Sequence, residues 1–174
     1  MLELVFVIVV LGILAAMAIP RMDRDLRQGA KDNILAAISL TQHIALVDNK
    51  TNPTDNNWQA NLWKISFQPD GSYYTVSTGS NFAVDPGNGN LMDGGTNASK
   101  NTFIGKKYGV ESVSQDCNPI AFDHLGRPFT GTISGSTYAG YMGSDCDITI
   151  KFIDDDITDL IITVAPETGY ASGN

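Results

Sequence analysis

An apolar run from Leu4 to Ile19, free of charge and preceded by one acid at Glu3, constrains this chain more than any other feature. As a helix rising about 1.5 Å per residue, Met1 to Ile19 reaches roughly 28 Å, close to the hydrocarbon core of a bilayer. A carboxylate at the edge of such a segment costs several kcal/mol unless something pairs with it. The segment therefore reads as a membrane-competent helix with one acid that needs a cationic partner. A cleaved secretory signal competes, because Ala16-Met17-Ala18 fits an A-x-A cleavage pattern. The opening Met-Leu-Glu carries no basic n-region, which counts against it. A helix buried in a soluble core fits less well, since the run is long and apolar throughout. A retained membrane helix is the preferred reading.

Pro20 closes the run. It has no N–H and crowds the carbonyl of Ala16, so a kink or local opening is expected, and Gly12 weakens the same stretch. Helical spacing then resumes. Leu26, Ala30, Ile34, Ala37, Ile38, Thr41 and Ala45 recur every three or four residues, and Leu40, Ile44 and Val47 widen the apolar sector. Arg27, Lys31, Asp32, Ser39 and Gln42 fill the other side. One helix of about 45 residues is expected, ending near Asp48-Asn49 ahead of Asn52-Pro53. The organisation that follows is a hydrophobic helix over residues 1–20, its amphipathic continuation over 21–49, and a head over 50–174.

The head reads as strands. Trp63 to Phe67 alternates, Pro69-Asp70-Gly71 turns, and Tyr73 to Val76 can pair back. Ser77 to Asn101 is loop-rich. Ile120 to Phe122 is a short strand turned by His124-Leu125-Gly126-Arg127. Asp147 to Ile153 and Ile157 to Val164 form a hairpin around Asp154-Asp155-Asp156, and Pro166 ends the last strand. The fold class is α+β: a long N-terminal helix, with a membrane-spanning first half and an amphipathic second half, packed on one face of an antiparallel sheet.

Residues 2 to 20, Leu-Glu-Leu-Val-Phe-Val-Ile-Val-Val-Leu-Gly-Ile-Leu-Ala-Ala-Met-Ala-Ile-Pro, closely resemble the N-terminal segment of type IV pilins and pseudopilins. Acid, glycine and proline fall at that family's relative spacing over about the first 25 residues; beyond them only the general layout agrees. The resemblance implies removal of a basic leader at the cytoplasmic face, methylation of the new amine, and residence in the inner membrane with the body outside. An ATP-driven machine would then draw subunits into an extracellular helical filament, a homopolymer whose core is the bundled N-terminal helices. Glu3 falls on the family's acid, which pairs with the amine of an adjacent subunit. Gly12 and Pro20 bracket a segment that often unwinds on assembly. Surface adhesion and motility belong to the same implication, as does an exposed, variable surface over residues 49–58, 77–101 and 130–146. Two departures stand out: only Met1 and Leu2 precede Glu3 where the family places four residues, and the final hairpin lies beyond the second cysteine.

The physics of Glu3 agrees with that role. An anion near a helix N-terminus is favoured by the helix dipole, and a neighbour's cationic amine would neutralise it in hydrocarbon. A snorkelling interfacial Glu without a partner is the plainer alternative. Cys117 and Cys146 point to a disulfide in an oxidising compartment, with two unpaired buried thiols as the alternative. A bridge would close a loop of about 30 residues and add about 3 to 4 kcal/mol. Arg21, Arg24 and Arg27 after the span would by themselves place the body in the cytoplasm, against the disulfide; a basic leader would resolve the conflict.

Other function classes find less in the residues. The net charge of −8 argues against nucleic-acid binding. Lys106-Lys107 and the three arginines read as solvated surface. The stretch from Asp85 to Asp93 offers oxygens that could suit calcium but reads as turn chemistry, because glycine stands at the third and fifth positions of an EF-hand pattern. Asp154-Asp155-Asp156 reads as a solvated turn. Asn49-Lys-Thr51 and Asn97-Ala-Ser99 are sequon-like by chance frequency alone. His43 and His124 have no nucleophile beside them in sequence, and no hydrolase, P-loop or dinucleotide fingerprint is present. No cofactor, metal site or enzymatic activity is expected. A pilus subunit leads; a pseudopilin of a type II secretion or DNA-uptake system and a membrane-tethered binding module are the alternatives.

Overall fold

The structure, a computed structural model, describes residues 2–137 and 140–174, with residues 2 and 15–24 as helical backbone only. It opens with α1, Leu2–Val47, a single helix that runs through the position of Pro20. Where an opening is expected near that proline, the helical assignment continues without a break. The expected face of its second half is the face that is buried. Ala30, Ile34, Ala37, Ile38, Thr41 and Ala45 are all buried, and Leu26, Leu40 and Ile44 pack at the margin. Val47 departs from the pattern: it is 76% exposed at the end of α1.

Among the described residues, nine strands make two antiparallel sheets, where one was expected. The first contains β1 (Trp63–Phe67), β2 (Tyr74–Thr78), β3 (Asn81–Phe82), β5 (Ile120–Phe122) and β6 (Pro128–Thr130), in the order β3-β2-β1-β5-β6. The second contains β4 (Val110–Gln115), β7 (Cys146–Phe152), β8 (Leu160–Val164) and β9 (Ala171–Gly173), in the order β4-β7-β8-β9. A five-residue helix α2, Ile104–Tyr108, joins them. The β1–β2 hairpin pairs Ile65 with Val76, and β7 pairs with β8 through Ile148 and Ile162. Both hairpins have inward and outward residues alternating as the sequence implies.

β4 and β9 escape sequence reading for different reasons. A register shift between Val110 and Ser112 spoils the two-residue period of β4. β9 is Ala-Ser-Gly, with no β-forming side chain, and is held by pairing on β8. Pro166 therefore does not end the last strand. It opens a turn, with Glu167 at φ 63° and Gly169 at φ 66°, that returns the chain to β9. A Cβ on Gly169 would stand 2.8 Å from the Gly126 carbonyl oxygen, so this turn needs glycine both for its backbone angle and for its close approach.

The second half of α1 packs on β1 and β5 of one sheet and on β8 and β9 of the other, so one helix serves two sheets. Their shared core includes Ile34, Ile38, Ile65, Phe122, Ile148 and Ile162. β5 is buried on both faces: Ile120 and Phe122 face the helix-side core, while Ala121 joins Trp58, Leu62 and Phe129 beneath the outer face.

Candidate functional site

Glu3 lies in the first turn of α1 and is exposed. From Leu4 to Leu14 the large apolar side chains are exposed all round, from 37% at Val10 to 69% at Phe6. Monomeric proteins seldom leave a contiguous apolar surface of this kind uncovered. Gly12 leaves a gap in it, since a Cβ there would meet nothing within 4 Å. The side chain of Pro20 lies outside the described residues, as do those of Arg21 and Arg24. The span expected over residues 1–20 thus falls partly outside them too. Among the described residues, no helix is long and apolar enough to cross a membrane. At 1.5 Å per residue, positions 3–14 cover only roughly 18 Å.

Among the described residues two salt bridges form, Lys50–Asp48 at 2.7 Å and Arg127–Asp123 at 2.7 Å, and neither involves Glu3. The cysteines lie apart from the helix tip. Cys117 and Cys146 are joined by a disulfide, with Cα atoms 6.1 Å apart, that ties the segment before β5 to the first residue of β7.

Arg27 corrects the reading of the arginines as solvated charge. Its guanidinium donates to the carbonyls of Thr158 (3.2 Å), Asp159 (3.3 Å) and Asn174 (3.1 Å) and to Asn174 Oδ1 (2.7 Å). The fork thus holds the β7–β8 connection and Asn174, the residue after β9, against α1. Gln42, fifteen residues on, donates to the Gly126 and Thr168 carbonyls at 2.8 Å each. Asp48 accepts from Trp63 Nε1 at 2.9 Å, fixing the end of α1 to β1. The Lys50 ammonium and the Trp63 indole together hold its carboxyl below the ordinary value of 3.8.

The loop from Asp85 to Asp93 is built around Asp85, a buried carboxylate. It accepts from the Gly87 N–H (2.8 Å), Asn88 (3.2 Å), Asn101 (2.9 Å) and the Ser99 hydroxyl. Burial pushes the Asp85 carboxyl up, but these donors outweigh it and hold the group below 3.8. A carboxylate so surrounded by donors presents little to a cation. Among the described residues no three His, Cys, Asp or Glu side chains gather as a metal cage. Ser99 of the second sequon-like triplet is committed to this network. His124 does meet a hydroxyl, which its sequence neighbours do not reveal: its Nδ1 shares a 3.0 Å hydrogen bond with Thr51 Oγ1. That contact joins the loop after α1 to the β5–β6 turn. His43 is exposed on α1.

Two surface features of the head include residues that the sequence reads as solvated charge, Lys106-Lys107 in one and Asp154-Asp155-Asp156 in the other. One is a groove of about 740 Å³ whose wall includes Ala98 and Phe103 and whose rim carries Lys100, Lys106 and Lys107. The other is the β7–β8 turn, in which Asp154, Asp155 and Asp156 are exposed beside Ile153, itself 70% exposed. The chain matches no protein-family model, no curated protein and no solved structure.

Proposed function

We propose that this protein is the structural subunit of a type IV pilus-like filament, assembling through its N-terminal hydrophobic helix after leader removal. The observation that carries the reading is the uncovered apolar cylinder from Leu4 to Leu14 with a lone acid in its first turn. Such a surface needs either lipid or other helices around it, and a helical homopolymer supplies the second after the inner membrane has supplied the first. On this reading the first half of α1, including residues 15–20, spans the membrane before assembly. The head then stands outside the cytoplasm, where the Cys117–Cys146 disulfide is stable. The protein's partners are further copies of itself and the machinery that extracts it from the membrane, and its role is structural rather than enzymatic. The resemblance of residues 2 to 20 to pilins and pseudopilins supports the same conclusion.

Glu3 is the docking group. In a low-dielectric bundle, an anion without its cation costs more than the pair contributes, so a neighbour that misaligns its amine is rejected. Glu3→Leu is expected to leave the protein in the membrane fraction while filaments in sheared surface material fall by about tenfold or more, as counted by electron microscopy. Normal filament yield from that variant would refute the role of Glu3. Native protein recovered only as dispersed single copies would refute the filament.

A further inference from the structure

The two charged features of the head are complementary in more than sign. The groove has an apolar wall, with Ala98 buried and Phe103 half-buried, and a rim of three lysines. The β7–β8 turn presents one exposed isoleucine, Ile153, followed by three exposed aspartates. Among the described residues no salt bridge involves Lys100, Lys106, Asp154, Asp155 or Asp156. Lys107 is held to Asn101 Oδ1 at 2.8 Å, which leaves the other two ammonium groups to meet a ligand. The chain has nineteen Asp and Glu against eleven Lys and Arg, so three lysines around one groove stand out from an acidic surface.

Their placement matters as much as their chemistry. Both features flank α2. Lys106 and Lys107 line the groove, while the next residues, Tyr108 and Gly109, line the hollow beside Asp154–Asp156 together with Leu26. α2 itself lies against α1 at Gly29, where a Cβ would stand 3.0 Å from the Tyr108 ring. Groove and acidic turn therefore both adjoin α2, which is seated on α1 at Gly29. A contact between them in different copies is heterologous, and repeated side by side it closes into a ring or winds into a helix.

We propose that the Lys100–Lys106–Lys107 groove receives the Ile153–Asp156 turn of a second copy of this chain, Ile153 against Phe103 and the aspartates against the lysine rim. The proposal rests on the filament reading for its assembly, but the contact is testable apart from it. Full-length chains grown separately on heavy and on light nitrogen would be extracted, mixed under conditions that permit reassembly, and treated with a carbodiimide that joins lysine to carboxylate. Peptides linking Lys100 or Lys106 of one label to Asp154, Asp155 or Asp156 of the other are expected.

In the same system, K100E with K106E, and separately D154K with D155K, should each lower the filament count about tenfold, while cross-links are compared only between the parent and the variant with all four changes, in which amines and carboxylates have traded places. The four changes together should bring filament count and mixed-label cross-links to within about threefold of the parent. All four positions changed are exposed, and circular dichroism with disulfide mapping verifies that each variant is folded. Reversals without effect, failure of the combined variant to recover, or cross-links confined to one copy or made to a different protein would overturn the contact. Mixed-label cross-links in the absence of any filament would uphold the contact and sink the filament reading. Filaments indifferent to the reversals would do the opposite.

Discussion

Two buried aspartates show how single residues organise the head. Asp123 is fully buried and accepts from the Leu125 and Arg127 N–H groups (2.9 Å each), Arg127 Nε (2.8 Å) and Tyr141 (3.1 Å), so the β5–β6 turn is wound around one carboxylate. Asp85 does the same for the loop over residues 85–101. Because the folded Asp85 carboxyl lies below 3.8, its contribution is fully present above that value and is lost as pH falls through the lower folded value. Asp85→Asn is expected to cost about 1 to 3 kcal/mol at neutral pH, since the donors lose a charged acceptor. It should also flatten the loss of stability below about pH 4. Urea unfolding at neutral pH and at successive acid steps checks both; identical acid slopes for variant and parent would remove Asp85 from this account.

At the level of elements, α1 is two different objects in one helix. From Ala30 to Ala45 its small and β-branched side chains let two sheets approach it, and its ends are fastened by Arg27, Gln42 and Asp48. From Leu4 to Leu14 nothing among the described residues covers it. Truncations along the helix should therefore divide sharply. Ile34→Ala, at a position with no exposure, is expected to cost about 3 kcal/mol of head stability through lost burial and a residual cavity. Phe6→Ala, at 69% exposure, should leave head unfolding within about 0.5 kcal/mol and weaken assembly instead. Thermal melts of the detergent-extracted protein followed by near-ultraviolet dichroism separate the two, and an equal effect would contradict the division. The helical period of residues 26–45 was legible because one continuous face is buried. β4 was not, because its bulge breaks the period, nor was β9, because pairing rather than propensity holds it.

For the whole molecule, the disulfide is a covalent clasp at the end of the β4–β7 pair, joining Cys117, just past β4, to the first residue of β7, 29 positions apart. Replacing both cysteines with serine is expected to lower unfolding free energy by about 3 kcal/mol, measured by denaturant titration against the oxidised parent. A difference near zero would mean that the β4–β7 pairing stands without its covalent clasp. The candidate assembly surface divides in the same way. Glu3, Gly12 and the apolar run were readable because their meaning depends only on order along the chain, whereas the lysine groove joins residues from a loop and α2 that share no sequence pattern. By itself, then, the sequence determined what is local and periodic: the amphipathic face of α1, the two strong hairpins, the greasy stalk and its one acid. Tertiary structure alone decided that the strands part into two sheets around one helix, that Arg27 is a clamp, and that basic groove and acidic turn both adjoin α2. The reason is physical: periodicity reports which face a residue needs buried, but not which distant segment will bury it or which charges that packing leaves facing outward.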